Sequence, residues 1–184
     1  MMRDWLDLAR ESVLNPRIGA ARLLALSLPE AVAPLMLALL AVLNGIVYGL
    51  ILSSVVALSP VLLALFSGAI IWLSAWLLSV VGQRLGGQGQ WPELLRAVLW
   101  LQMLRLVAQV VLVLLSVLLP PLAGFAGMAA GVWGLYMMVC FVTEAHGFAT
   151  RWKAVAALAA VFVLTLVFAT LVVAVIGEPA LVAA

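Results

Sequence analysis

The chain has 184 residues, of which 68% are hydrophobic and only 9% charged, whereas about a quarter of the residues in a soluble domain are charged. A soluble core of this size cannot bury so much apolar surface. The composition therefore predicts helices of about 20 apolar residues that cross a ~30 Å hydrocarbon layer. The formal net charge is +2, and the few basic residues flank the apolar runs. This pattern indicates membrane lipids as partners and argues against nucleic acid.

Residues 1–28 are predicted to be a cytoplasmic amphipathic segment. Asn15-Pro16 divides it, because proline favours the first position of a new helix. Ser27 to Glu30 fits a capping box at the start of the next helix. Before the break, apolar side chains recur with a helical period, which is typical of a helix on a membrane surface; they are Trp5, Leu8, Ala9 and Val13.

Residues 29–184 are predicted to be one all-α domain, a bundle of five transmembrane helices. Short connections, such as the one at Pro120-Pro121, require neighbouring spans to run antiparallel. The predicted spans are about 31–52, 60–81, 94–119, 122–143 and 154–176.

The basic residues predict the orientation of this bundle. Apart from Arg105, every lysine and arginine falls on one side of the five spans, and short loops rich in these residues stay in the cytoplasm. We therefore expect a cytoplasmic N-terminus and a C-terminus on the opposite, periplasmic side.

The third predicted span carries a polar face around Arg105, about 16 Å inside the span. Gln102 and Gln109 share that face, because they lie three and four residues from Arg105. A charge at this depth turns inward and finds partners, for which the first span offers Asn44 and Tyr48. These five residues are a candidate ligand-binding site. Hydrogen bonding that only holds the helices together is the alternative.

The fourth predicted span carries a narrow face of four glycines, which allows another helix backbone to approach closely. Packing within the chain is the simpler interpretation, and a homodimer or a membrane-protein partner is the alternative. The glycines are Gly124, Gly127, Gly131 and Gly134.

The loop after the fourth span contains Glu144 and the single histidine, His146. Together they could contribute to a metal or acid–base site, but two ligands do not complete one. The sequence contains no other metal, phosphate or catalytic motif. We therefore expect no cofactor, no bound metal and no enzymatic activity.

The order of these features resembles the Yip (Ypt/Rab-interacting protein) domain family, specifically its bacterial branch. The resemblance covers nearly the whole chain and is carried by residues 15–29, by Trp100-Leu-Gln-Met-Leu-Arg105 and by Phe141-Val-Thr-Glu-Ala-His-Gly-Phe148. It implies a five-span fold with a cytoplasmic N-terminus, in the cytoplasmic membrane of a bacterium. Eukaryotic members of the family resemble organisers of membrane traffic that contact small GTPases.

Two functions remain open from the sequence. The first is a non-enzymatic membrane protein that organises the bilayer or binds lipids or partners. The second is a small transporter or channel in which the polar face around Arg105 conducts an anion or a lipid headgroup.

Overall fold

The computed structural model describes residues 2–29, 31–52 and 59–182, and within these ranges the chain is helical, with no strand. Five of its helices are long and apolar enough to cross a membrane, so the predicted all-α, five-span class is confirmed. The helices are α1 (Met2–Leu14), α2 (Pro16–Leu24), α3 (Val32–Leu52), α4 (Pro60–Arg84), α5 (Trp91–Leu118), α6 (Pro120–His146) and α7 (Arg151–Val182).

The spanning helices extend further than the apolar runs on which the prediction was based. The helix α4 continues to Arg84, and α6 continues to His146. The connection between the predicted spans 60–81 and 94–119 is confined to residues 85–90. A helix that leaves the hydrocarbon layer can accept polar residues, so hydropathy alone places its end too early. Glu30, the second half of the proposed capping box, lies outside the described residues.

The helix α4 is central to the bundle, because α3, α5 and α7 all pack against it. The helices α3 and α4 run antiparallel at close distance, with Gly45 against Ala64 and Gly68 against Ala41. The main core contains Leu40 of α3, Ile71 of α4 and Leu99 of α5.

The helices α1 and α2 form a hairpin, the N-terminal hairpin, that packs on α5 and α6. Gly19 makes the hairpin tight, because a side chain there would overlap the backbone of Ser12. A second, smaller core joins the hairpin to the bundle and contains Leu8, Ala20, Leu23, Ala97, Trp100 and Phe141.

One end of the bundle, the basic end, is formed by the end of α4, residues 85–90 and the connection between α6 and α7. The backbone N–H of Gln88 donates to the carbonyl of His146, which holds these segments together. Arg84, Arg151 and Lys153 belong to this end.

Candidate functional site

Arg105 connects α5 to α3 near the middle of the bundle. Its guanidinium donates to the side-chain oxygen of Asn44 at 3.1 Å and to the hydroxyl of Tyr48 at 3.3 Å. The structure thus brings together three of the five residues of the candidate ligand site. In the described ranges, Arg105 forms no ion pair, whereas Arg22 and Glu11 form a salt bridge in the N-terminal hairpin.

A cleft of about 340 Å³ opens beside Arg105, between α3, α4 and α5. Ligand pockets begin at about this size. Its polar side is formed by Arg105, Gln102, Tyr48 and Ser67, and its apolar wall by Leu63, Phe66, Ile70 and Ile71.

Two buried polar atoms beside Arg105 have no hydrogen-bond partner among the described residues. They are the side-chain nitrogen of Asn44 and the side-chain oxygen of Gln102. Asn44 is only 1% exposed. An unpaired buried polar group costs about 1–3 kcal/mol. The nitrogen of Asn44 still needs an acceptor, and the oxygen of Gln102 still needs a donor.

Gln109, the remaining residue of the candidate site, is half-buried and does not line the cleft. Ser116, further along the same helix, donates to the carbonyl of Val113 in its own helix. The polar side chains of α5 therefore contact other helices or line the cleft only around Arg105, and they do not form a continuous polar path along the helix.

Among the described residues, three long-range hydrogen bonds attach the N-terminal hairpin and the segment just after it to the spans. The indole of Trp100 donates to the hydroxyl of Ser12 at 2.9 Å, and the indole of Trp133 donates to the carbonyl of Val13 at 2.8 Å. At the other end of the hairpin, Arg96 donates to the carbonyl of Leu26 at 3.0 Å.

These anchors place the hairpin alongside the spans. Trp133 lies 13 residues before His146, or about 20 Å along α6 from the basic end. Arg96 lies five residues after Trp91, or about 8 Å along α5. The turn of the hairpin therefore lies beside the middle of α6, deeper in the bundle than the amphipathic pattern predicted for a helix resting on the surface. Its exposed residues include the apolar Trp5, Leu6, Val13, Leu14 and Ile18 and also the charged Arg3, Asp4, Asp7, Arg10 and Arg17.

His146 joins three segments at the basic end. Its Nδ1 accepts a 3.1 Å hydrogen bond from the N–H of Gly89, and its Nε2 lies 3.1 Å from the carbonyl of Leu78. The ring is thus neutral with its proton on Nε2, and the ring of Phe148 stacks on it. Glu144 is exposed. The two residues predicted to share a site are not brought together, and neither nitrogen of His146 is free for a metal.

The glycine face of α6 has no neighbour in the described part of the chain. A Cβ atom at Gly124, Gly127, Gly131 or Gly134 would find nothing within 4 Å. The simpler interpretation, close packing within the chain, does not agree with this geometry. Packing against a second molecule stays a prediction.

Two parts of the site were not predicted from the sequence. The apolar wall of the cleft comes from α4. Its residues have the same hydropathy as residues that face lipid, so the sequence does not distinguish the two. The sequence analysis did not single out Ser12, which is fully buried under Trp100. The tryptophan inside the apolar run of α5 could have indicated such a contact, because the indole N–H of a buried tryptophan usually finds an acceptor.

The family model for the Yip1 domain matches residues 10–172 of the chain. That range includes both helices of the Arg105 contact and most of the N-terminal hairpin. No curated protein and no solved structure matches the chain.

Proposed function

The chain belongs to the Yip1 domain family and has five helices able to cross a bilayer, and on this premise we propose that it is a non-enzymatic protein that organises the membrane through its N-terminal hairpin. The proposal includes a bacterial cytoplasmic membrane, with the basic end in the cytoplasm. The supporting observation is the attachment of the hairpin beside the middle of α6, through Trp133 and Val13.

Depth is the physical reason for this proposal. The helices α5 and α6 have 28 and 27 residues, about 40 Å, so each exceeds a ~30 Å hydrocarbon layer by about 10 Å. A turn about 20 Å from the basic end then lies within the layer. Leu14 and Ile18, both 58% exposed, face the acyl chains there. The hairpin adds volume to one leaflet only, and such asymmetric insertion bends a bilayer.

Three of the charged residues of the hairpin fit the same position. Arg22 and Glu11 neutralise each other in a 2.8 Å ion pair. Arg17, next to the turn, lies deeper than its long side chain can span, so headgroups have to move inwards to meet it. The hairpin thus draws headgroups towards the spans.

Vesicle shape tests this proposal. The wild type and a Leu14→Ser, Ile18→Ser variant are reconstituted at equal protein-to-lipid ratios, and vesicle diameters are measured by electron cryo-microscopy. The control, Val117→Ser with Leu118→Ser, removes two apolar residues that are even more exposed (76% and 75%) at the other end of α5. We expect smaller vesicles with the wild type and the control than with the hairpin variant. Equal diameters for all three proteins would contradict the proposal.

A small transporter or channel is the second candidate, because Arg105 beside a cleft could select an anion. Flux of anions and lipids from vesicles that contain wild type or Arg105→Leu tests it. Equal flux for both proteins would reject this candidate.

A further inference from the structure

Arg105 has a charge that the described residues do not neutralise. It is exposed, lies 14 residues into α5, and is bonded only to the uncharged Asn44 and Tyr48. A guanidinium in hydrocarbon costs at least about 2.5–3.5 kcal/mol. The counter-charge is therefore expected to come from another molecule, and the cleft at Arg105 is the place for it.

The cleft can be reached by a lipid from the side opposite the basic end. Tyr48 lies one turn before the end of α3, and Leu63 lies in the first turn of α4. The site is thus only about 6 Å from the ends of these two helices, although Arg105 is midway along the longer α5. Arg105 itself lies 13 residues, or about 20 Å, before the end of α5, so a headgroup from that leaflet has to enter well below the bilayer surface to pair with it.

The polar atoms of the site define the headgroup. Arg105 has further N–H groups besides the two that donate to Asn44 and Tyr48. Its planar guanidinium can donate two parallel hydrogen bonds to a carboxylate or phosphate. Gln102 lines the cleft, and its side-chain oxygen, which is buried, lacks a donor. An acid that carries a hydroxyl beside it supplies both the negative charge and that donor.

We propose that this cleft binds a lipid whose acidic headgroup carries a neighbouring hydroxyl, as in a lysophosphatidic acid. The phosphate pairs with Arg105, the hydroxyl donates to Gln102, and the start of the acyl chain lies on the apolar wall at Phe66 and Ile70. A volume of about 340 Å³ takes the headgroup and the first part of the chain. The rest of the chain extends into the bilayer. This binding is independent of the function proposed for the hairpin.

Native mass spectrometry of the purified full chain tests the assignment, with 1-oleoyl lysophosphatidic acid, oleate, lysophosphatidylcholine and inorganic phosphate as probes. We expect one lysophosphatidic acid per chain, and binding at least about tenfold weaker for Arg105→Gln. Arg84→Gln removes an exposed charge at the basic end and is the matched control, with unchanged binding. Inorganic phosphate bound as tightly as the lipid, or equal binding by Arg105→Gln and wild type, would overturn the proposal.

Two further variants separate the parts of the site. Gln102→Leu should lose the preference for lysophosphatidic acid over oleate while it still binds both. Ser67→Leu should weaken binding of both lipids by filling the cleft with Arg105 intact, which keeps the test valid if Arg105→Gln does not fold. A preference unchanged in Gln102→Leu would overturn the role of the hydroxyl. Full binding by Ser67→Leu would overturn the location in the cleft.

Discussion

The indole N–H of Trp100 donates a 2.9 Å hydrogen bond to the hydroxyl of Ser12, 88 residues earlier in the chain, and both side chains are buried. The ring of Trp5 lies 5.8 Å from that of Trp100. One turn of α5 thus holds the N-terminal hairpin by a polar and an aromatic contact at once. The hairpin keeps a fixed position on the spans, as its proposed action on one leaflet requires.

Removal of the Trp100 indole should loosen the hairpin. Trp100→Phe leaves the buried hydroxyl of Ser12 without its donor, which costs about 1–3 kcal/mol. We expect faster amide hydrogen exchange in α1 and α2 and little change in α7, measured by mass spectrometry in detergent. Trp152→Phe, at a residue that is 80% exposed, is the control. Unchanged exchange in α1 and α2 of Trp100→Phe would show that this hydrogen bond does not hold the hairpin.

Apolar run length and charge placement were sufficient to predict the fold class. Each of the five predicted spans overlaps a helix of the structure, because a bilayer requires a helix wherever about 20 apolar residues follow one another. The ends at Arg84 and His146 were not predictable in this way. Outside the hydrocarbon layer, polar residues destabilise a helix little, so hydropathy does not show at which residue the helix ends.

The site was less predictable than the fold. The contact of Arg105 with Asn44 and Tyr48 could be expected, because these polar residues lie in neighbouring spans at related depths. The cleft could not be predicted, because its shape depends on how α4 packs beside α5. The glycines of α6 show that a close approach is sterically possible there, but a stripe of small residues does not identify the neighbour.

The glycines of this protein should separate into two classes when replaced by alanine. Gly82→Ala places a Cβ atom on the ring of His146, and overpacking of this kind costs about 1–3 kcal/mol. Gly127→Ala meets nothing in the described part of the chain and should stabilise the isolated chain by about 0.5–1 kcal/mol, the helix preference of alanine over glycine. Unfolding in detergent measures both changes. A loss of stability in Gly127→Ala would indicate that another molecule packs on this face.

Gly147 ends α6 in the left-handed conformation, with φ of +63°. A side chain there would have free space, so the cost of Gly147→Ala comes from the backbone alone and should be about 1–2 kcal/mol. Gly147→Asn should cost less, because asparagine adopts this conformation more readily. Comparison of the two variants by thermal unfolding checks the prediction. Equal losses for alanine and asparagine would contradict the backbone explanation.

His146 should act as a structural connection at the basic end. His146→Phe keeps a ring but removes the acceptor for the N–H of Gly89 and the donor to Leu78, and the unpaired N–H of Gly89 alone costs about 1–3 kcal/mol. His146→Gln retains a donor and an acceptor and should lose less. Glu144→Gln, at the exposed neighbour, should change stability by about 0.5 kcal/mol at most. Unfolding in detergent with and without a metal chelator measures these effects. If the chelator destabilised the wild type as much as His146→Phe does, His146 would be a metal ligand and the structural explanation would be wrong.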